Sequence, residues 1–368
     1  MAAERRRPPL LAPPAWPEAR AVPGLALAHG AGAVGGVAAS LIGAPLPWLL
    51  GGLFASALVV VATPEGVGGA PWRPANGLRN LFVVVIGGMI GGAFTPELLA
   101  GAAGWGPSLL GLAIYTLAAH GLIYAAYRRL GMGRATAWFA AAPGGLIENI
   151  MLGEQAGGDV RRITLLQFGR IAAAVTLVPL AYSAWLGEAV GSAAGARFEG
   201  GEGATGRDLL VLVGAGLGGV LGARALRVPA GVIVGPVLAS AAAHGTGLTA
   251  AQVPANLVAL AQLVIGVGLG LRFGGLTARE LGLALSISGL GVAATLALAL
   301  GAALLAAPFA SEGAAVLVLA YAPGGIIEMG LIALSLGASP VFVTAHHVLR
   351  LLLTVTVSPW IFRRALSG

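Results

Sequence analysis

Four ionisable side chains stand inside otherwise apolar sequence: Glu148, Arg170, Glu328 and Arg350. Arginine stays protonated, and a charge in hydrocarbon is costly unless it is paired, hydrogen-bonded or in use. Each Glu lies five residues past a Pro, in APGGLIE (142–148) and APGGIIE (322–328). Proline donates no backbone hydrogen bond and glycine weakens a helix, so Pro143-Gly144-Gly145 and Pro323-Gly324-Gly325 should each break their segment. A helix restarting after such a break offers free N–H groups and a positive dipole end to a ligand. The plainer alternatives are a packed kink without a ligand and a Glu that merely complements the helix dipole.

Arg170 and Arg350 fall roughly 12 to 16 Å along their helices at 1.5 Å per residue, too deep to reach water easily. The spacing predicts an internal ion pair in each half, Glu148–Arg170 and Glu328–Arg350, usable as a lock or as a proton-sensitive latch. Where the first half has Leu166-Gln167, the second has His346-His347, three and four residues before Arg350. Histidine titrates near neutral pH, so it could modulate that site. Adjacent residues diverge by about 100° on a helix, which disfavours a metal pair, and no third ligand is suitably spaced. His29 and His120 read as hydrogen-bonded packing residues. Asn149 joins the candidate binding residues, whereas nothing singles out Gln167, Asn256 or Gln262. The set expected to bind substrate is therefore Pro143, Gly144, Gly145, Glu148, Asn149, Arg170, Pro323, Gly324, Gly325, Glu328, His347 and Arg350.

The elements that must position these residues are membrane helices. Hydrophobic residues make up 57% of the chain and charged residues 10%, against roughly 25% charged in soluble domains. Glycine, at 60 of 368 residues, suits helix packing where small residues allow close approach. The net charge of +7 comes from arginines in short loops, so nucleic acid is not expected as a partner. Cysteine is absent, which excludes disulfides and cysteine-ligated metal, and no cofactor is implied. Apolar runs fall at 24–42, 46–62, 78–94, 107–127, 134–153 and 162–186, then at 208–223, 229–244, 254–272, 280–307, 314–336 and 340–362. A Pro- and Arg-rich stretch, 1–23, precedes them as a cytoplasmic tail, and 187–207 links two membrane repeats, 24–186 and 208–364.

If all twelve runs cross, 13 loop arginines lie inside and 6 outside; if both Pro-Gly-Gly runs are re-entrant, 17 lie inside and only Arg197 and Arg207 outside. The stronger bias favours about ten transmembrane helices, two broken or re-entrant segments and cytoplasmic termini. An odd number of crossings per half inverts the second repeat. The duplication is visible directly: Gly157, Thr164, Arg170 and Pro179 match Gly337, Thr344, Arg350 and Pro359. Pro45 and Gly51 match Pro229 and Gly235; Ile86-Gly87, Gly91 and Phe94 match Ile265-Gly266, Gly270 and Phe273. The fold class expected is thus an all-α membrane protein of two inverted repeats.

The two APGG motifs with Glu, each followed by an intramembrane Arg, and the elements at Pro45 and Pro229 resemble the AbrB family of bacterial membrane proteins. The resemblance spans about residues 25–364. It implies a multi-pass protein of the bacterial inner membrane, and the family's names imply a regulator of gene expression or an ammonia monooxygenase. The residues themselves favour a secondary transporter of a small solute, with proton coupling as one driving force open to it. A membrane sensor or regulator acting through a partner is the second reading, and a monooxygenase-type enzyme the third. Expected partners are the lipid bilayer and the solute, with assembly as a homo-oligomer left open.

Overall fold

Backbone groups in apolar sequence find few partners outside a helix, and the chain answers with helices throughout. The computed structural model describes residues 18–94, 102–187, 190, 205–228 and 230–366. The expected tail at 1–23 and linker at 187–207 lie largely outside the described residues, as does Pro229. A first series runs α1 (Val22–Leu41), α2 (Pro47–Ala62), α3 (Asn76–Gly91), α4 (Gly106–Arg129), α5 (Arg134–Ala141), α6 (Leu146–Gln155) and α7 (Val160–Leu186). A second runs α8 (Gly206–Ala225), α9 (Gly231–Gly245), α10 (Ala255–Gly270), α11 (Ala278–Ala306), α12 (Ala314–Tyr321), α13 (Ile326–Ser335) and α14 (Pro340–Ile361). Among the described residues the only extended pairing is one isolated bridge, Val67 with Ala70. Among the described residues seven helical segments are long and apolar enough to cross a bilayer, and α2, α3, α9 and α13 are apolar but shorter.

Glycine sets how closely these helices meet. A methyl on Gly35 would run into the backbone of Gly51 where α1 crosses α2; one on Gly219 would run into Gly235 where α8 crosses α9. The halves also interlock. Gly87 and Gly91 of α3 lie on the backbone of α9 at Ile233 and Val237, while Gly266 and Gly270 of α10 lie on α2 at Leu49 and Leu53. Such contacts are the packing available to helices in lipid, where apolar burial alone does not drive association. A shared core joins both series through Leu49, Ile86, Ile90, Ile233, Ile265 and Tyr321.

Local signals mark the starts of helices. Thr205 with Asp208 and Thr277 with Glu280 form capping boxes on α8 and α11. Asp159 and Ser339 cap α7 and α14 by accepting from Arg162 and Phe342 N–H groups.

Both Pro-Gly-Gly runs are interrupted. The segment 134–153 divides into α5 and α6 around Ala142–Gly145, and 314–336 divides into α12 and α13 around Ala322–Gly325. The α5–α6 pair folds back on itself, with Gly153 against Phe139 and Gly158 against Thr136. The Asp159 N–H closes this hairpin on the Thr136 hydroxyl at 2.9 Å.

Candidate functional site

The residue before a proline avoids the helical region, and Ala142 and Ala322 accordingly are extended, with ψ of 125° and 143°. Beyond them the two breaks part company. Gly145 is left-handed (φ 60°, ψ 57°), a conformation costly for any side-chain-bearing residue, whereas Gly325 is extended (φ −89°, ψ 163°). Each break frees carbonyls that need donors.

Deep arginines supply several. Arg170 donates to the Ala142 carbonyl, and Arg350 donates to the carbonyls of Ala322 and Gly324. Gln167 donates to Phe139 at 2.7 Å and to Ala142 at 3.2 Å. The Asn149 amide caps the carbonyls of Gly144 and Gly145, the latter at 2.7 Å. His347 sits between two groups. Its Nε2 is 3.2 Å from the Leu319 carbonyl and its Nδ1 is 2.8 Å from an Arg350 nitrogen. A guanidinium only donates, so Nδ1 accepts and the proton sits on Nε2, a neutral ring.

The breaks face one another across a cavity of about 370 Å³. It gathers eleven of the twelve expected residues: Pro143, Gly144, Gly145, Glu148, Arg170, Pro323, Gly324, Gly325, Glu328, His347 and Arg350. Asn149 is excluded, its side chain buried beneath the first break. A second void of about 20 Å³, room for roughly one water, is lined by Tyr115, Tyr127 and Thr295. It shares Pro143, Arg170, Pro323 and Arg350 with the cavity, so these four separate the two spaces.

The expected ion pairs do not form. Arg20–Glu18, Arg161–Glu280 and Arg162–Asp159 pair outside the cavity, and among the described residues no ion pair joins Glu148, Arg170, Glu328 or Arg350. The reason is local. Glu328 is the third residue of α13, and its carboxylate folds back over Gly325 at the start of its own helix. Glu148 has the same position in α6, with its carboxylate beside Gly145. The arginines meanwhile reach carbonyls upstream of each break.

Two arginines enter the cavity unannounced by the sequence. Arg79 lies near the start of α3 and acts electrostatically on Glu328. Arg272 lies just past α10, donates to Asn76 at 2.9 Å and stacks over Phe168, 4.9 Å from its ring centre. Both stand at ends of apolar runs, where any loop arginine would stand, so only their convergence distinguishes them. The remaining histidines point elsewhere. His346 contacts the Phe342 carbonyl and the Ser108 hydroxyl, His29 the Leu25 carbonyl, His120 the Trp138 carbonyl and His244 the carbonyls of Ser240 and Ala251. Gln262 and Asn256 stay outside the cavity, the first fully buried and the second near its own helix start. Among the described residues no three His, Asp or Glu side chains gather as a metal-holding group.

A family model described as "Transition state regulatory protein AbrB" matches residues 56–365, a stretch that contains every residue of the cavity. No curated protein matches the chain.

Proposed function

The chain belongs to the AbrB family, and from that premise and the cavity we propose that it is a proton-coupled secondary transporter of a small solute in the bacterial inner membrane. The observation that carries this reading is the meeting of two interrupted helices at one charged cavity, a recurring design of secondary transporters. In this reading α5–α6 and α12–α13 are re-entrant hairpins entering from opposite faces. The seven long helical segments and the shorter α2, α3 and α9 then make 7 + 3 = 10 crossings, with both termini cytoplasmic. In this topology Arg79, Arg272 and the start of α9 would lie at the arginine-rich inner face, which supports a cavity mouth on that side.

The two series supply a reason for alternating access. Matching them residue by residue, the mouth-side positions Ala230, Ile233, Leu269 and Arg79 correspond to Leu46, Leu49, Ile90 and Val258. The first four line the cavity, while the second four are 0–1% exposed in the apolar core. One face is open and its counterpart sealed. Exchange of the two arrangements would open the other face. Glu148 and Glu328, facing the cavity without an ion-pair partner, would carry the proton.

Purified protein in liposomes with an internal pH dye tests this. Solute-dependent proton movement that is lost in E148Q/E328Q supports the reading; no solute-dependent flux across a broad panel, with or without a pH gradient, removes it. Because the chain has no cysteine, single-cysteine labelling needs no background removal. Gln155→Cys and Ala338→Cys should label from opposite faces, and labelling from one face would end the inverted arrangement.

The family description favours one other reading, a regulatory protein that signals through a partner. Wild-type signalling by a flux-dead variant, with a soluble regulator captured by the full chain, would support that reading instead.

A further inference from the structure

The charge balance of the cavity narrows what it can hold, taking the cavity as the binding site of the proposed transporter. Four guanidiniums line it, from Arg79, Arg170, Arg272 and Arg350, against two carboxylates, from Glu148 and Glu328. Counting both carboxylates as ionised and His347 as the neutral ring its hydrogen bonds require, the sum is 4 − 2 = +2. None of the four arginines forms an ion pair among the described residues. Their hydrogen bonds run to neutral groups: the carbonyls of Ala142, Ala322 and Gly324, the Nδ1 of His347 and the side chain of Asn76. Uncompensated charge away from bulk water is costly, so the cavity favours a negatively charged occupant.

We infer that the cavity binds a small dianion bearing oxyacid groups, of the class of short dicarboxylates and divalent oxyanions. Arg170 uses one of its five donor hydrogens on Ala142, leaving a fork free for a carboxylate. The start of α6, where Gly145 lines the wall, adds positive dipole at the same end of the cavity. Arg350 is already held by the carbonyls of Ala322 and Gly324 and by His347, whereas Arg170 meets one carbonyl, so the first break is the stronger anion seat. Arg272, held over Phe168 and Asn76 at the mouth, suits the second negative group of the ligand. The cavity volume accommodates a dianion of several carbons and excludes nothing as small as sulfate.

The test is titration of the purified full-length chain with malonate, succinate, glutarate, phosphate and sulfate at constant ionic strength, read by calorimetry and by melting temperature. Succinamide and putrescine are the neutral and cationic controls. At least one dianion should bind tenfold or more tightly than both controls. R170Q should lose that binding at least tenfold, and R272Q should weaken it less. The melting temperature of each variant without ligand shows whether it folds; if R170Q does not, R272Q alone must show the loss. Binding of putrescine or succinamide equal to that of every dianion, or no dianion binding at all, overturns the inference. Transport is scored separately in liposomes. A dianion that binds but is not moved removes the transport reading and leaves the anion site, whereas flux of a neutral or cationic solute does the reverse.

Discussion

The two breaks occupy matching sequence 180 residues apart, yet their free carbonyls are held by different chemistry. In the first, neutral amides do most of the holding: Asn149 takes Gly144 and Gly145, and Gln167 takes Phe139 and Ala142. In the second, Met329 stands in place of Asn149 and packs on Gly324, so Arg350 takes over the Gly324 carbonyl as well as that of Ala322. His347 stands in place of Gln167 and donates to Leu319, the counterpart of Phe139. One arginine is therefore largely spent on structure and the other largely available. Near-identical motifs can divide the labour between a structural half and a binding half when the donors around them differ.

The sharpest way to break this comparison is to remove each arginine. Arg350→Ala strands two carbonyls and the acceptor of His347 in a buried site, a loss on the order of 3–5 kcal/mol. Arg170→Ala strands less, because Gln167 still donates to Ala142, and should cost about 1–2 kcal/mol. Denaturant titration in micelles reads the difference. Equal losses for the two variants would mean the arginines are interchangeable supports.

A second contrast lies in the glycines that end the breaks. Gly145→Ala places a side chain at φ 60° and against Val355, costing about 1–2 kcal/mol from the left-handed backbone alone. Gly325→Ala keeps an ordinary extended backbone but collides with the Glu328 carboxylate. Its effect should fall on proton-coupled flux more than on stability. If Gly325→Ala proves the more destabilising of the two, the assigned backbone geometries are wrong.

How far the sequence reached follows from the same residues. The interruptions at Pro143 and Pro323 were legible because proline and paired glycine have backbone consequences that tertiary context does not erase. That Arg170 and Arg350 would need partners inside the protein was legible from the apolar runs around them. The partners of those arginines were not. Spacing brings a carboxylate and a carbonyl equally near, and only the position of Glu328, third in its helix, decides that it folds back over Gly325. Arg79 and Arg272 were hidden for another reason: an arginine at the end of a membrane segment is what loop orientation already requires, so its convergence on a cavity leaves no mark in sequence. The role of His347 was half visible, since its alignment with Gln167 points to a shared hydrogen bond, but its contact with Arg350 depends on the ring's tautomer.

Two smaller exchanges sharpen the comparison from both sides. Asn149→Met makes the first break resemble the second without giving Arg170 the reach to replace the lost donor, so Gly144 and Gly145 go unmet at a cost of about 1–2 kcal/mol. His347→Gln does the opposite and makes the second break resemble the first. Glutamine can donate to Leu319 as Gln167 does to Phe139, and its carbonyl oxygen can accept from Arg350, so the stability change should stay under about 1 kcal/mol. What glutamine cannot do is take a proton. Protonating His347 in place would turn its Nδ1 from acceptor to donor against the Arg350 guanidinium, with His346 on the same helix and Arg79 and Glu328 as the other charged groups of the cavity on that side. Acidification should therefore weaken the Arg350–His347 contact in the native protein and leave it intact in the glutamine variant. Unfolding measured from neutral to acidic pH should show a loss of stability that is smaller in His347→Gln. Parallel pH profiles for the two proteins would show that this histidine is only the donor that Gln167 already is, and that the second break gains no proton sensitivity from it.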